Sequence, residues 1–233
     1  MQNKNILIIG TSSGIGYSLA EKLIKAGVNV YSASRSQPDL AVKLHLNWDA
    51  INPDSSVFEQ LPSTLDGIVY FPGTINLKPF GRLQEADFLN DFKINVLGAV
   101  SVIQANITKL KASESASVVL FSTVAVQMGM GFHASIAASK GAIEGLTRSL
   151  AAEYAGSKIR FNCIAPSLTN TPLAKNLLSS PEKMEASNKR HPLGRVGEAN
   201  EIAEMAAFLL SENGSWMTGQ ILKMDGGMSS VKV

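Results

Sequence analysis

The feature that most constrains this chain is a short apolar run, Ile6-Leu7-Ile8-Ile9, followed at once by Gly10-Thr11-Ser12-Ser13-Gly14-Ile15-Gly16 and then by Tyr17-Ser18-Leu19-Ala20-Glu21-Lys22-Leu23, which has helical period. A strand runs into a glycine turn and the turn opens a helix. Glycines permit the tight turn and a close approach of backbone to ligand, while the helix N-terminus offers free N–H groups and partial positive charge to a pyrophosphate. A ligand-free glycine turn is the alternative, but the order strand, turn, helix is the context a dinucleotide site requires.

The same alternation continues to the C-terminus. It predicts strands near 5–9, 28–33, 43–47, 66–71, 117–122, 159–164 and 220–224, and helices near 15–26, 85–111, 136–155 and 198–211 with a short one near 55–61. Strands such as Val118-Val119-Leu120-Phe121 are apolar throughout, as expected when both faces are covered. The pattern implies an α/β fold: a Rossmann-like, doubly wound parallel sheet of about seven strands with helices on both faces. We expect one domain over 1–233. The segment 166–197, with Pro166, Pro172, Pro181 and Pro192, reads as a long loop carrying a short helix at the carboxyl edge of the sheet, and so as a substrate lid.

Composition narrows the partners. Only 17% of residues are charged and the net charge is +2, with no basic block, so the footprint of nucleic-acid or anionic-membrane binding is missing. The single cysteine, Cys163, has no internal disulfide partner, and with three histidines it makes no cluster at metal-ligand spacing. We expect no metal. The four apolar residues near the N-terminus are too few for a signal-peptide core or a spanning helix, so a cytoplasmic protein acting on a small molecule is the expectation.

The spacing G-x-x-x-G-x-G of Gly10, Gly14 and Gly16 resembles that of the short-chain dehydrogenase/reductase family. The likeness extends through Asn95-Val96-Leu97-Gly98, Ser139-Lys140-Gly141-Ala142 and Arg160-Phe161-Asn162-Cys163-Ile164-Ala165-Pro166. It continues in Pro192-Leu193-Gly194-Arg195 and in Thr218-Gly219-Gln220 through Asp225-Gly226-Gly227. The resemblance implies a nicotinamide dinucleotide held by Gly10, Ser12, Ser13, Gly14, Ile15, Gly16, Gly73, Lys140, Pro166, Thr169 and Thr171, with Asp49 near the adenine. Where such folds place an acid to bind the ribose of NAD, this chain has Ser34, followed by Arg35, whose planar fork suits a phosphate. That combination points to NADP(H) over NAD(H); a solvated loop arginine is the alternative.

The resemblance also exposes a gap. The family's proton comes from a tyrosine four residues before the lysine, on the same helix face, and here that position is Ile136. Thr123 stands where the family has its serine, preceded by Ser122, and Asn95 matches the asparagine that holds a relay water. The run after the fourth strand departs too, reading Tyr70-Phe71-Pro72-Gly73, and proline there removes a backbone donor. His133, seven residues before Lys140, is the one nearby titratable substitute, with water the other source of a proton; a loop histidine without a role is the alternative.

Two readings follow. One is an oxidoreductase that reduces a carbonyl or activated double bond with an unusual donor, its chemistry resting on Lys140, Thr123, Asn95, Ser122 and His133. The other is a catalytically silent dinucleotide-binding scaffold or oligomer partner. Ala137, Gly141 and Gly145 form a stripe of small residues, and the resemblance implies a homodimer or homotetramer built on that helix.

Overall fold

The computed structural model describes residues 1–232. Seven parallel strands make the sheet: β1 (Asn5–Ile9), β2 (Asn29–Ser34), β3 (Leu44–Asn47), β4 (Gly67–Tyr70), β5 (Ala116–Phe121), β6 (Ile159–Pro166) and β9 (Ile221–Met224). Their order across the sheet is β3-β2-β1-β4-β5-β6-β9, so the chain starts in the middle and winds outward in both directions. A two-residue ladder, β7 (Thr169–Asn170) with β8 (Gly197–Glu198), lies apart from it. All seven strands of the sheet fall within two residues of the positions the alternation predicts.

The unbroken apolar runs are explained by the two cores. Leu7 and Ile9 of β1 pack on one face with residues of α3 (Gly98–Lys111) and α5 (Ala134–Tyr154). Ile6 and Ile8 pack on the other with α1 (Gly14–Lys25) and α7 (Ala199–Leu210). Side chains alternate across a strand, so a strand covered on both faces is apolar at every position. Shorter helices complete the chain: α2 (Glu85–Phe92), α4 (Ala125–Met128) and α6 (Pro181–Asn188).

One expectation is corrected. The helix expected over 85–111 is interrupted by a π-helical turn, Lys93–Leu97, between α2 and α3. Widening the turn takes backbone groups out of the i to i−4 ladder, and side chains capture them. Asn95 Nδ2 donates to the Asp91 carbonyl at 2.7 Å, and the Tyr70 hydroxyl donates to the Ile94 carbonyl at 2.6 Å. Gly98 makes room for that phenol, since a Cβ there would lie 2.2 Å from the hydroxyl oxygen. Burial, with the nearby charge of Asp49 adding to it, holds the Tyr70 phenol well above its ordinary range, so it serves as a donor.

Removing that donor strands a carbonyl. Tyr70→Phe is expected to cost about 1–3 kcal/mol, the range for an unpaired buried acceptor. Urea unfolding checks it, as a lower midpoint with an unchanged slope.

Candidate cofactor cleft and active site

At the carboxyl edge of the sheet, where β1 and β4 send their connections to opposite faces, lies a cleft of about 270 Å³. Its floor is the glycine turn. Gly10 has φ +91°, a conformation that favours glycine, and it packs against Phe71 and Pro72. Gly16 touches the Gly10 carbonyl so closely that a Cβ would sit 2.1 Å from the oxygen. α1 therefore meets β1 without intervening side chains, and its N-terminus opens into the cleft. Ser13 makes no side-chain cap and the first turn carries no acid, which leaves orphan N–H groups for an anion.

Ser12, Ser13, Gly14, Ile15, Ser34, Arg35, Asp49, Gly73 and Thr171 all line this cleft. Arg35 is exposed and makes no ion pair among the described residues. Ser34 is engaged within the protein, donating to the Ser36 carbonyl at 2.8 Å and lying 3.2 Å from the Thr11 hydroxyl. Asp49 accepts from the Ile51 amide at 3.0 Å, which orders the turn after β3. These groups fit an elongated anionic ligand whose diphosphate meets α1 and whose far end meets Arg35.

The second cavity, of about 260 Å³, adjoins the cleft and shares Ile15, Phe71, Gly73 and Leu173 with it. Lys140 and Ile136 both line it, one turn apart on α5. Where the family's phenol would stand, the wall is hydrocarbon. Burial pulls the Lys140 ammonium down to about 8, against the opposing pull of Cys163 and Asp91. Its Nζ donates to the Phe121 carbonyl at 2.9 Å. Cys163 lies buried in β6, and burial pushes its thiol up to about 12, so it has no thiolate character at neutral pH.

Asn95 stands beside Lys140. Its Nδ2 donates to Asp91 and to Thr74 at 3.0 Å, which leaves Oδ1 as a buried acceptor with no protein partner. A Cβ on Gly73 would lie 3.1 Å from that oxygen and 3.4 Å from Lys140 Nζ, so Gly73 is the gap through which both face the cleft. An orphan acceptor beside an ammonium is a place for water or a ligand hydroxyl. Asp91, fully buried, fastens the arrangement by accepting from Thr74 and Ser135, each at 2.6 Å.

The remaining candidates separate. Thr123 lines the cavity, and its Oγ1 accepts from the Ala125 amide at 3.3 Å. Ser122 also lines the cavity, and its hydroxyl donates under α5 to Glu144 at 2.8 Å, which spends that hydrogen within the protein. His133 lines the cavity with Nδ1 on the Gly131 carbonyl at 2.6 Å. Pro166 and Thr169 line the same cavity, and Thr169 Oγ1 donates to the Ser167 carbonyl at 3.1 Å.

Sequence reasoning missed two residues on this wall, Ser167 and His191, which are joined at 2.9 Å. The signal was present for Ser167, which stands where the resemblance has a glycine after Pro166. His191 had none. Several resembling stretches prove structural. Arg160 holds the Leu209 and Gly214 carbonyls, at 2.8 and 2.9 Å, and Asn162 holds the Met217 carbonyl at 2.8 Å. Arg195 pairs with Glu201 at the start of α7, lowering that carboxyl to about 2 and tying down the segment that follows α6.

The family model described as enoyl-(acyl carrier protein) reductase matches residues 9–229. A tropinone reductase homolog from Arabidopsis thaliana is 34% identical over 98% of this chain and 94% of its own length. Another, from Datura stramonium, is 31% identical over 97% and 92%. Among solved structures, the ligand-free aldohexose dehydrogenase of Thermoplasma acidophilum is 26% identical, with a TM-score of 0.91 over 100% of this chain and 97% of that one. A short-chain dehydrogenase family protein from Francisella tularensis also scores 0.91 at 26% identity, over 98% and 100%. With the parallel sheet, the glycine turn at its edge and the buried lysine and asparagine beside it, these matches establish that the chain belongs to the short-chain dehydrogenase/reductase family, oxidoreductases that use nicotinamide cofactors.

Proposed function

We propose that the protein is an NADP(H)-dependent oxidoreductase that reduces a carbonyl or an activated double bond in a small apolar molecule, with a proton donor other than tyrosine. The observation that carries this is the continuity of the two cavities through Gly73, with Lys140 beside it in the second cavity and an apolar wall beyond. When bound, the dinucleotide supplies hydride. The chain's own residues do the rest: the α1 N-terminus and Arg35 bind the phosphates, while Lys140 and Asn95 order a ribose hydroxyl or a water. Thr123 offers a hydroxyl at the reaction space, and the proton that Ile136 lacks comes from another group on the cavity wall, His133 and an ordered water being the sources the sequence offers. The segment 166–197 closes over the substrate, contributing Leu173 and Leu177 to the cavity wall.

Arg35 favours NADP(H) because a guanidinium without an internal partner is available to a phosphate, and no acid stands at position 34 to repel one. A dimer or tetramer through α5 is supported by the small stripe. A Cβ on Gly145 would meet nothing within 4 Å and one on Gly141 would meet only Val126, so the chain itself does not use that stripe for close packing. Ile136 favours a second reading, a dinucleotide-binding protein without turnover.

Fluorescence titration with NADPH and NADH, beside Arg35→Ala, tests the cofactor. NADPH is expected to bind more tightly, and the variant to lose about 1 kcal/mol or more toward NADPH with little change toward NADH. Binding of neither nucleotide would end the oxidoreductase reading, and binding without hydride transfer to any acceptor would favour the silent one.

Lys140 gives an independent prediction. Its ammonium is held down to about 8 by burial, so the folded state carries a penalty of about 3 kcal/mol wherever the group is charged in both states. That penalty is full below pH 8, shrinks from there as the folded-state group gives up its proton while the unfolded one keeps its own, and is gone above the unfolded value of 10.5. Lys140→Met is therefore expected to melt higher than the parent at neutral pH, to lose that advantage as pH rises through this window, and to have little activity. Paired thermal melts across pH check it.

A further inference from the structure

Ser167 and His191 are the one hydroxyl and imidazole joined on the wall of the substrate cavity, and neither belongs to the family pattern quoted above. Their geometry fixes their protons. His191 Nδ1 lies 2.8 Å from the Ser187 carbonyl in the last turn of α6, and a carbonyl only accepts, so Nδ1 carries hydrogen. In the neutral ring Nε2 is then a bare lone pair, and Ser167 Oγ donates to it at 2.9 Å. When the ring is protonated the bond reverses: Nε2 donates to Ser167, and the serine hydrogen is free to turn into the cavity. The ring is 3% exposed, which holds it in this one orientation.

The serine is also in the right place. The β5 and β6 ladder continues past the sheet through the Val124 amide on the Pro166 carbonyl, at 3.2 Å, which sets Thr123 and Ser167 on adjacent chain ends. Ser167 is pinned on its other side by its own amide on the Met224 carbonyl at 3.1 Å. The other titratable groups on this wall serve less well. Lys140 Nζ is engaged with the Phe121 carbonyl, Arg190 is engaged with the Ser187 hydroxyl, and among the described residues His133 has no hydroxyl behind it.

We propose, resting on the reductase reading above, that Ser167 and His191 are the proton relay of this enzyme: Ser167 Oγ holds the substrate's carbonyl oxygen and passes it the proton that His191 Nε2 supplies. In the step, the carbonyl carbon would take the hydride that a bound reduced dinucleotide supplies, and the carbon–oxygen π pair would move onto oxygen. The Ser167 O–H bond breaks as its proton passes to that oxygen, and the Nε2–H bond breaks as the ring's proton passes to Ser167. His191 ends neutral and regains its proton from water between turnovers. Oxidation of the alcohol runs the same path backwards, starting from the neutral ring. Ser167 is the catalytic residue and His191 its positioning and proton-supplying partner.

The test measures NADPH oxidation by the full chain with phenanthrenequinone, a rigid apolar dicarbonyl, for Ser167→Ala, Ser167→Thr and His191→Gln. Each is made in the parent and in an Ile136→Tyr background. In the parent, Ser167→Ala and His191→Gln are expected to lower kcat about 100-fold with KM little changed, while Ser167→Thr keeps most of the rate. NADPH binding, followed by fluorescence, is expected to be unaffected in all three. In the Ile136→Tyr background the phenol provides a second acid, and both losses should shrink to a few-fold.

Equal losses in both backgrounds would mark the pair as structural and overturn the relay. So would a parent whose rate ignores Ser167→Ala, or activity that appears only with Ile136→Tyr. If NADPH binds but neither parent nor Ile136→Tyr oxidises it, the reductase reading itself fails and the relay with it.

Discussion

The contact between Gly16 and the Gly10 carbonyl is the constraint on which the rest of this structure depends. With no room for even a methyl group, α1 lies directly against the turn that ends β1, and its free N–H groups are presented at the sheet edge. Any side chain at Gly16 would push the helix outward, lifting the anion site from the floor of the cleft. The positive φ of Gly10 serves the same end, because the chain must turn sharply between strand and helix while Phe71 and Pro72 press on it. Everything downstream is placed by that start: β1 is central, its neighbours wind away on both sides, and the crevice at the carboxyl ends of β1 and β4, where their connections diverge, becomes the candidate cleft.

A second constraint acts on the opposite wall. The π turn at Lys93–Leu97 breaks the regular ladder and is held by Asn95 and Tyr70 together. Tyr70 closes β4 and opens the run that departs from the family pattern, so that departure is in part a support for the turn bearing Asn95. Asn95 in turn spends its amide hydrogens on structure and leaves its oxygen for the site. Structural and chemical duties are divided between the two ends of one side chain. Asp91 holds both neighbours through hydroxyl groups, a carboxylate satisfied without a cation in contact.

Against this retained frame, the acid position has lost its polarity. Ile136 is 5% exposed and packs into the cavity wall, where a phenol would need a partner for its hydroxyl and an aliphatic side chain needs none. Besides Lys140 and His133, polar groups of the cavity stand at the ends of β5 and β6 and in the turn after α6. Ser167 and His191 meet there because the segment after β6 folds back over the sheet edge, anchored by the β7 and β8 ladder and by Arg195 on Glu201.

How much of this was legible in the sequence depends on the range over which each feature is determined. Strands and the glycine turn are local: an apolar run with both faces covered and a G-x-x-x-G-x-G turn before a helical period carry their own physical reasons. The interruption of the long helix was not legible, because a π turn is stabilised by Tyr70, two elements away. The direction of the Ser122 hydroxyl was likewise hidden, since it is decided by Glu144 on another element. By itself the sequence determined the fold and the glycine turn at the candidate cleft, which follow from local period and spacing, while the meaning of an isoleucine at residue 136 came from the family resemblance. Only the tertiary structure decided which hydroxyls face the reaction space and that His191 stands behind Ser167, because side chains 24 residues apart are brought together by packing, which no local pattern encodes.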